Sequence, residues 1–210
     1  MDCRAGILRD GLRGVADLER LTGRITAKAA NPRELRALAL SLQRIPAIHE
    51  VVTSSDATLI CELRQTMDPL HDVADAITSA IADEPPLSIT EGNLIRDGYN
   101  SELDRLRALV LGGRDWIASL QKDEAARTGI SNLRVGYNKV FGYYIEVSRG
   151  QTHLVPPDYE RKQTLVNAER YVSALLKSRE EEIVSAQERM EKLEYDLFRA
   201  LREQVAAQAR

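Results

Sequence analysis

Two stretches with the apolar spacing of packed helices frame a stretch with the composition of β-strands. In the first, apolar or small residues recur at alternating intervals of three and four: Leu103, Leu106, Val110, Gly113, Ile117 and Leu120. The second has the same spacing in Ile183, Ala186, Met190, Leu193, Leu197 and Ala200. This a/d pattern predicts two long helices, about 100–127 and 174–209, packed lengthwise on one another. The chain is therefore expected to form an antiparallel helical arm with a small β-sheet at its tip.

We call each row of a/d residues the seam of its helix. The segment between the two seams is rich in glycine, tyrosine and β-branched residues, which favours strands. Alternating side chains predict strands at about 133–140 and 141–148, and a third at 161–172 after a Pro156-Pro157 break. In a chain with 5% aromatic residues, we expect Tyr137, Phe141, Tyr143 and Tyr144 to form the small core of this tip. The acidic run 180–182 is expected on a solvated helix face.

The first part of the chain predicts a bundle of four short helices. They cover about 7–22, 31–45, 57–66 and 69–81. Asn31-Pro32 with Glu34 has the signature of a capped helix start, and Pro46 is expected to end that helix. Asp56 and Asp68 are candidate starts for the next two helices. The predicted division is a helical core piece at 1–96, an outgoing helix at 97–128, a β-rich tip at 129–172 and a returning helix at 173–210.

The charge distribution argues against a globally basic nucleic-acid binder, because the net charge is −3. Residues 130–172 hold six Lys or Arg and four Asp or Glu, so the tip is the one section with a net positive charge. Cys3 and Cys61 fit no metal-ligand spacing and are expected to be reduced structural thiols. No apolar run has the length of a membrane span. No secretory signal is evident, and both ends are expected to be cut from a longer protein.

Two long motifs, GYNKVFGYYIEV at 136–147 and RKQTLVNAERY at 161–171, closely resemble the MutS family of bacterial DNA mismatch-repair proteins. Shorter matches, at 13–20, 31–35, 97–104 and 127–130, extend the resemblance over nearly the whole chain. The chain corresponds to about a quarter of a full-length member. It covers most of the core and lever region, together with the clamp that is inserted in the lever.

The resemblance implies a cytoplasmic, nucleoid-associated protein that forms a homodimer around double-stranded DNA. The clamps contact the DNA backbone without reading sequence, and the levers link them to a remote ATPase. ATP, magnesium and partners such as MutL are implied for the full-length protein alone. The family's mismatch-reading Phe-x-Glu motif does not occur here, and neither does a G-x-x-x-x-G-K-[ST] phosphate loop. We therefore expect no mismatch selection, no ATP hydrolysis and no cofactor in this segment.

The candidate DNA contacts are cations and amide or hydroxyl donors on the tip, which suit phosphate recognition. They are Asn138, Lys139, Arg161, Lys162, Gln163, Thr164 and Asn167. Arg134 and Arg149 are weaker candidates. Two residues depart from the family pattern. Val166 stands where many members carry a lysine, which removes one possible phosphate contact. Ala174 stands where a proline often opens the returning helix, so that helix relies on Ser173 for its cap.

The alternative is a structural or protein-interaction arm whose long helices bind another coiled partner. Such an arm would expose apolar seam residues beyond about Ala200, whereas a DNA clamp needs its cations on one exposed face of the tip. An enzyme is disfavoured because the sequence shows no nucleophile–base set, metal cluster or phosphate loop. His49, His71 and His153 are isolated from one another.

Overall fold

The computed structural model describes residues 3–53 and 57–208, and it divides the chain into two compact units. The first unit comprises residues 1–100 and 191–210, and the second comprises residues 101–190. The described part is mainly helical with one four-stranded antiparallel sheet, as the sequence predicts.

The first unit is a helical bundle with more helices than the sequence indicates. In the described residues these are α1 (Cys3–Leu12), α2 (Leu18–Thr26), α3 (Pro32–Leu42), α4 (Ile45–Thr53), α5 (Thr58–Thr66) and α6 (His71–Ala80). The single helix predicted at 7–22 is wrong, because Asp17 caps a new helix by accepting a hydrogen bond from the Arg20 backbone N–H. Asp56 lies outside the described residues.

The start of α3 is the one that its sequence signature predicts. The Asn31 side chain accepts a hydrogen bond from the Glu34 backbone N–H at 2.9 Å, and the Glu34 carboxylate accepts one from the Asn31 N–H at 3.0 Å. Pro32 occupies the first turn, where no N–H is needed. The prediction that Pro46 ends this helix is wrong. Pro46 lies in the first turn of α4, where a missing N–H is tolerated.

The second unit contains α7 (Ser101–Thr128), the sheet, and the first part of α8 (Ala174–Gln208). The predicted seam of α7 is confirmed, because its five apolar members are buried and Gly113 faces Ile183 of α8. On α8 the predicted seam is correct through Ala186 and wrong further on. There Glu194, Phe198 and Leu201 are buried, each one position after a predicted residue, and Ala200 is exposed. Val205, beyond the predicted seam, is also buried.

The sheet consists of β1 (Arg134–Asn138), β2 (Gly142–Ser148), β3 (Tyr159–Thr164) and β4 (Ala168–Ser173), in the order β1-β2-β4-β3. The first two strands match the prediction. The third predicted strand is instead the β3–β4 hairpin, whose turn is closed by a hydrogen bond from the Leu165 N–H to the Ala168 carbonyl at 2.8 Å. A 3₁₀ segment, Arg149–Leu154, follows β2.

The core of the second unit lies between the sheet and both helices. Leu120 of α7 and Leu176 of α8 pack with Ile130, Leu133, Ile145, Val147, Tyr159 and Tyr171. The predicted aromatic core is largely wrong. Tyr143 packs at its margin, whereas Tyr137 is 61% exposed and Phe141 and Tyr144 are half-buried. Trp116 packs against this core. In the described part of the chain, no helix has the length and apolar character that a membrane crossing requires.

Candidate nucleic-acid interface

The two hairpin turns of the sheet lie at opposite ends of it. The β1–β2 turn, residues 139–141, precedes the first residue of β2. The β3–β4 turn, residues 165–167, precedes the first residue of β4, and that residue pairs with Ser148 at the last position of β2. The turns are therefore separated by the length of β2, roughly 20 Å for seven residues. We call them the Lys139 end and the Asn167 end.

The predicted contact residues are consequently not one cluster. Asn138 and Lys139 lie at the Lys139 end, and Thr164 and Asn167 lie at the Asn167 end. Arg161, Lys162 and Gln163 lie along β3 between them, with a register irregularity at Lys162. The strand pairing decides this arrangement, and the sequence motifs alone do not indicate it.

Several predicted contact residues are already engaged with neighbouring side chains. The Arg161 guanidinium lies 3.5 Å from the Glu169 carboxylate, and Lys162 pairs with Glu160 at 2.5 Å. The Gln163 side-chain oxygen accepts a hydrogen bond from Arg170 at 3.0 Å. The hydrogen bond from Lys162 is the main cause that lowers the pKa of Glu160. These residues therefore present less free positive charge than their sequence suggests.

Three other cations of the tip make no ion pair with any described residue: Arg134, Lys139 and Arg149. Arg149 is exposed and lies beside the β3–β4 turn, because its backbone N–H donates to the Asn167 carbonyl at 3.1 Å. The pKa of Glu169 is lowered chiefly by the Tyr171 hydroxyl and also by the charges of Arg161 and Arg149. Arg149, a weaker candidate in the sequence, thus joins Thr164 and Asn167 at one end of the sheet.

The β1–β2 turn is shaped by its own local contacts. The Asn138 side chain accepts a hydrogen bond from the Val140 N–H at 2.7 Å, which is an Asx turn. Gly142 has φ +80°, a conformation that favours glycine, and its backbone lies against the Glu180 carboxylate. The Asn138 oxygen is therefore used within the turn, and Lys139 is the one cation on this turn.

The described residues contain no group of three His, Cys, Asp or Glu side chains placed to hold a metal ion. Cys61 is half-buried and is not joined by a disulfide to any described residue. The side chain of Cys3 lies outside the described set.

The small antiparallel sheet, together with α7 and the first part of α8, lies in a region that matches a known domain family. The model of MutS family domain IV matches residues 98–189. The DNA mismatch repair protein MutS of Lactobacillus acidophilus is 52% identical over 197 residues, which are 93% of this chain. That of Symbiobacterium thermophilum is 48% identical over 201 residues, or 96% of this chain.

These matches define the class first: over nearly its whole length, the chain is similar to proteins named as DNA mismatch repair proteins. It belongs to the MutS family. It spans about a quarter of the length of the curated relatives that it matches, 23% in both cases above.

Proposed function

We propose that this chain is the clamp and part of the lever of a mismatch-repair protein, and that its sheet contacts duplex DNA through the phosphate backbone. The clamp would be residues 129–172, and the lever helices would be 97–128 and 173–210. The observation that carries the proposal is the match of residues 98–189 to MutS family domain IV, together with relatives named as DNA mismatch repair proteins. Contacts to phosphates position a protein on DNA without reading sequence.

The Asn167 end of the sheet is the better candidate for the contact. It presents Arg149 without an ion pair to any described residue, next to the exposed Thr164 and Asn167. A cation with adjacent hydroxyl and amide donors suits a phosphate oxygen. The Lys139 end offers one cation and an asparagine oxygen that is already engaged. Of the predicted set, we therefore propose Thr164 and Asn167 with Arg149 as the primary contacts.

Two exposed valines allow a gain-of-function test with a matched control. Val166 lies in the β3–β4 turn and is 81% exposed, and Val140 lies in the β1–β2 turn and is 89% exposed. Val166→Lys is expected to tighten binding to a matched duplex several-fold. It should also steepen the slope of log K against log salt by about 0.9, the value for one added phosphate contact. Val140→Lys adds the same charge at the other end and is expected to change neither quantity.

Fluorescence anisotropy titrations at several low salt concentrations would measure both slopes. Equal effects of the two lysines would mean that added charge acts non-specifically, and a larger effect of Val140→Lys would move the contact to the Lys139 end. Arg149→Ala is expected to weaken binding and flatten the slope, whereas Lys139→Ala is expected to leave both near those of the parent chain.

The chain is also expected to bind matched and mismatched duplexes with equal, weak affinity. The reason is that its sequence lacks the Phe-x-Glu motif, and its candidate contacts are side chains that would donate to the DNA backbone rather than to bases. Competition between the two duplexes for the labelled chain would measure the ratio. A clear preference for the mismatch would overturn the backbone-only proposal.

The remaining roles belong to the longer protein and rest on the family. We propose that the lever helices relay a change at the clamp to an ATPase outside this chain, which would use ATP and magnesium. A homodimer closed around DNA and an association with MutL belong to the same proposal. Comparing the ATPase rate of the full-length protein with and without duplex, for the parent and an Arg149→Ala variant, would test the relay.

The protein-interaction alternative is weakened by the position of the seam beyond Ala200. It required apolar side chains exposed there, but Leu201 and Val205 are 3% exposed in the first unit. From Ala200 to Gln208, the last described residue, α8 therefore lacks the exposed apolar stripe that this alternative requires.

A further inference from the structure

A carboxylate of α7 holds the start of β3. Glu124 is 8% exposed, and it accepts a hydrogen bond from the Tyr159 hydroxyl at 2.6 Å. Arg127 donates to the same carboxylate at 2.8 Å and to Asp158 at 3.1 Å. Burial and the bond to Glu124 raise the pKa of Tyr159, which remains a protonated donor. The last turn of α7 and the first residue of β3 are thus joined by a charge-assisted network.

A carboxylate of α8 holds the start of β2. The Glu180 carboxylate accepts a hydrogen bond from the Tyr143 backbone N–H at 3.2 Å, and it lies against Gly142. The β2–β4 pairing runs from Ile145 to Ser148, so this N–H lies beyond the ladder. Glu180 therefore acts in place of a strand partner, and the expectation that it belongs to a solvated face is wrong.

Both carboxylates act at the same end of the sheet. Tyr143 is the second residue of β2, beside the β1–β2 turn, and Tyr159 pairs with Ser173 at the last position of β4. Both are therefore at the Lys139 end. A third contact, from the Val135 N–H to the Gln121 side chain at 3.2 Å, is exposed. The Asn167 end lies roughly 20 Å from the two carboxylates.

We infer that Glu124 and Glu180, one on each helix, are positioning residues that fix the direction in which the sheet carries its Asn167 end. A tilt of about 10° at the held end would move the other end by about 3 Å over this length. A displacement of that size breaks hydrogen bonds to phosphate oxygens, which tolerate a few tenths of an ångström. The effect on DNA rests on the function proposed above, whereas the effect on the sheet's direction does not.

The direction of the sheet can be measured without DNA. Spin labels would be placed at Lys122→Cys on α7 and Val166→Cys at the β3–β4 turn, with Cys3 and Cys61 replaced by serine. Tyr159→Phe and Glu180→Ala are each expected to broaden the distance distribution between the labels. Glu180→Gln keeps an acceptor oxygen and is expected to restore the parent width. Glu181→Ala, on the exposed neighbour, serves as the matched control and should leave the width unchanged.

Duplex affinity, measured on the same variants without labels, separates the two proposals. We expect several-fold weaker binding for Tyr159→Phe and Glu180→Ala with an unchanged salt slope, because the same phosphate contacts form less often. If the parent chain binds no DNA but the variants still show broadened distances, the positioning role is supported and the proposed function is refuted. Parent-like widths in both variants would overturn the positioning role, whatever the affinity.

Discussion

Replacing Glu194 by alanine is expected to lower the free energy of unfolding by about 3 kcal/mol. Its carboxylate is 2% exposed and accepts hydrogen bonds from three successive backbone N–H groups, those of Asn93, Leu94 and Ile95, at 3.0 to 3.1 Å. Asn93 has φ +58° and follows Gly92 at φ +72°, a backbone shape that turns N–H groups toward one anion. Alanine would remove the carboxylate that accepts from these three N–H groups in the first unit.

Urea unfolding followed by far-UV circular dichroism would measure the loss. Glu194→Gln retains one acceptor oxygen and is expected to fall between the parent and Glu194→Ala. Glu188→Ala removes an exposed carboxylate from the same helix and should change stability by less than about 0.5 kcal/mol. A Glu194→Ala variant as stable as Glu188→Ala would contradict the role assigned to this carboxylate.

Adjacent glycines in α7 are expected to respond to alanine with opposite signs. A Cβ on Gly113 would lie 2.4 Å from Cγ1 of Ile183, whereas one on Gly112 would have no neighbour within 4 Å. Gly112→Ala should therefore stabilise the chain by up to about 1 kcal/mol through helix propensity. Gly113→Ala should destabilise it by about 1 to 2 kcal/mol, because Ile183 is β-branched and cannot easily rotate away within a helix.

Thermal or urea unfolding of the two single variants would give the signs directly. Ile183→Ala in the Gly113→Ala background removes the overlapping atoms, so the two substitutions should couple favourably in a double-mutant cycle. If both glycine variants are stabilised alike, the close approach of α7 and α8 at Gly113 does not exist in solution.

Local sequence signals are sufficient to predict an element whose conformation depends on residues close to it in the chain. The capping box at Asn31 and the α7 seam are examples, because their partners lie within a few residues or follow one helical period. Pro46 shows the limit of such signals, since proline is compatible with both the end of one helix and the first turn of the next. The β3–β4 turn was missed because residues 165–167, Leu-Val-Asn, contain neither glycine nor proline.

Features that depend on distant contacts could not be predicted from the sequence. Glu194 was not recognised because the N–H groups that it accepts from lie about 100 positions earlier. The seam of α8 shifts by one position after Ala186, where the helix passes from the second unit into the first and other contacts decide which side chains are buried. The sequence motifs supply candidate DNA contacts, but the separation of these candidates into two ends follows from strand pairing, which the motifs do not encode.

The two junctions between sheet and helices differ in their freedom to twist. Between α7 and β1 the chain has five residues, including Gly129 at φ +74°. Between β4 and α8 it has none, and the Ser173 hydroxyl caps α8 by accepting from the Leu176 N–H at 3.2 Å. A turn of α8 about its own axis must therefore pass into β4 and its paired strands as torsion. Twisting of α8 would then reach the sheet through the main chain, whereas twisting of α7 would reach it through side-chain contacts such as that between Glu124 and Tyr159.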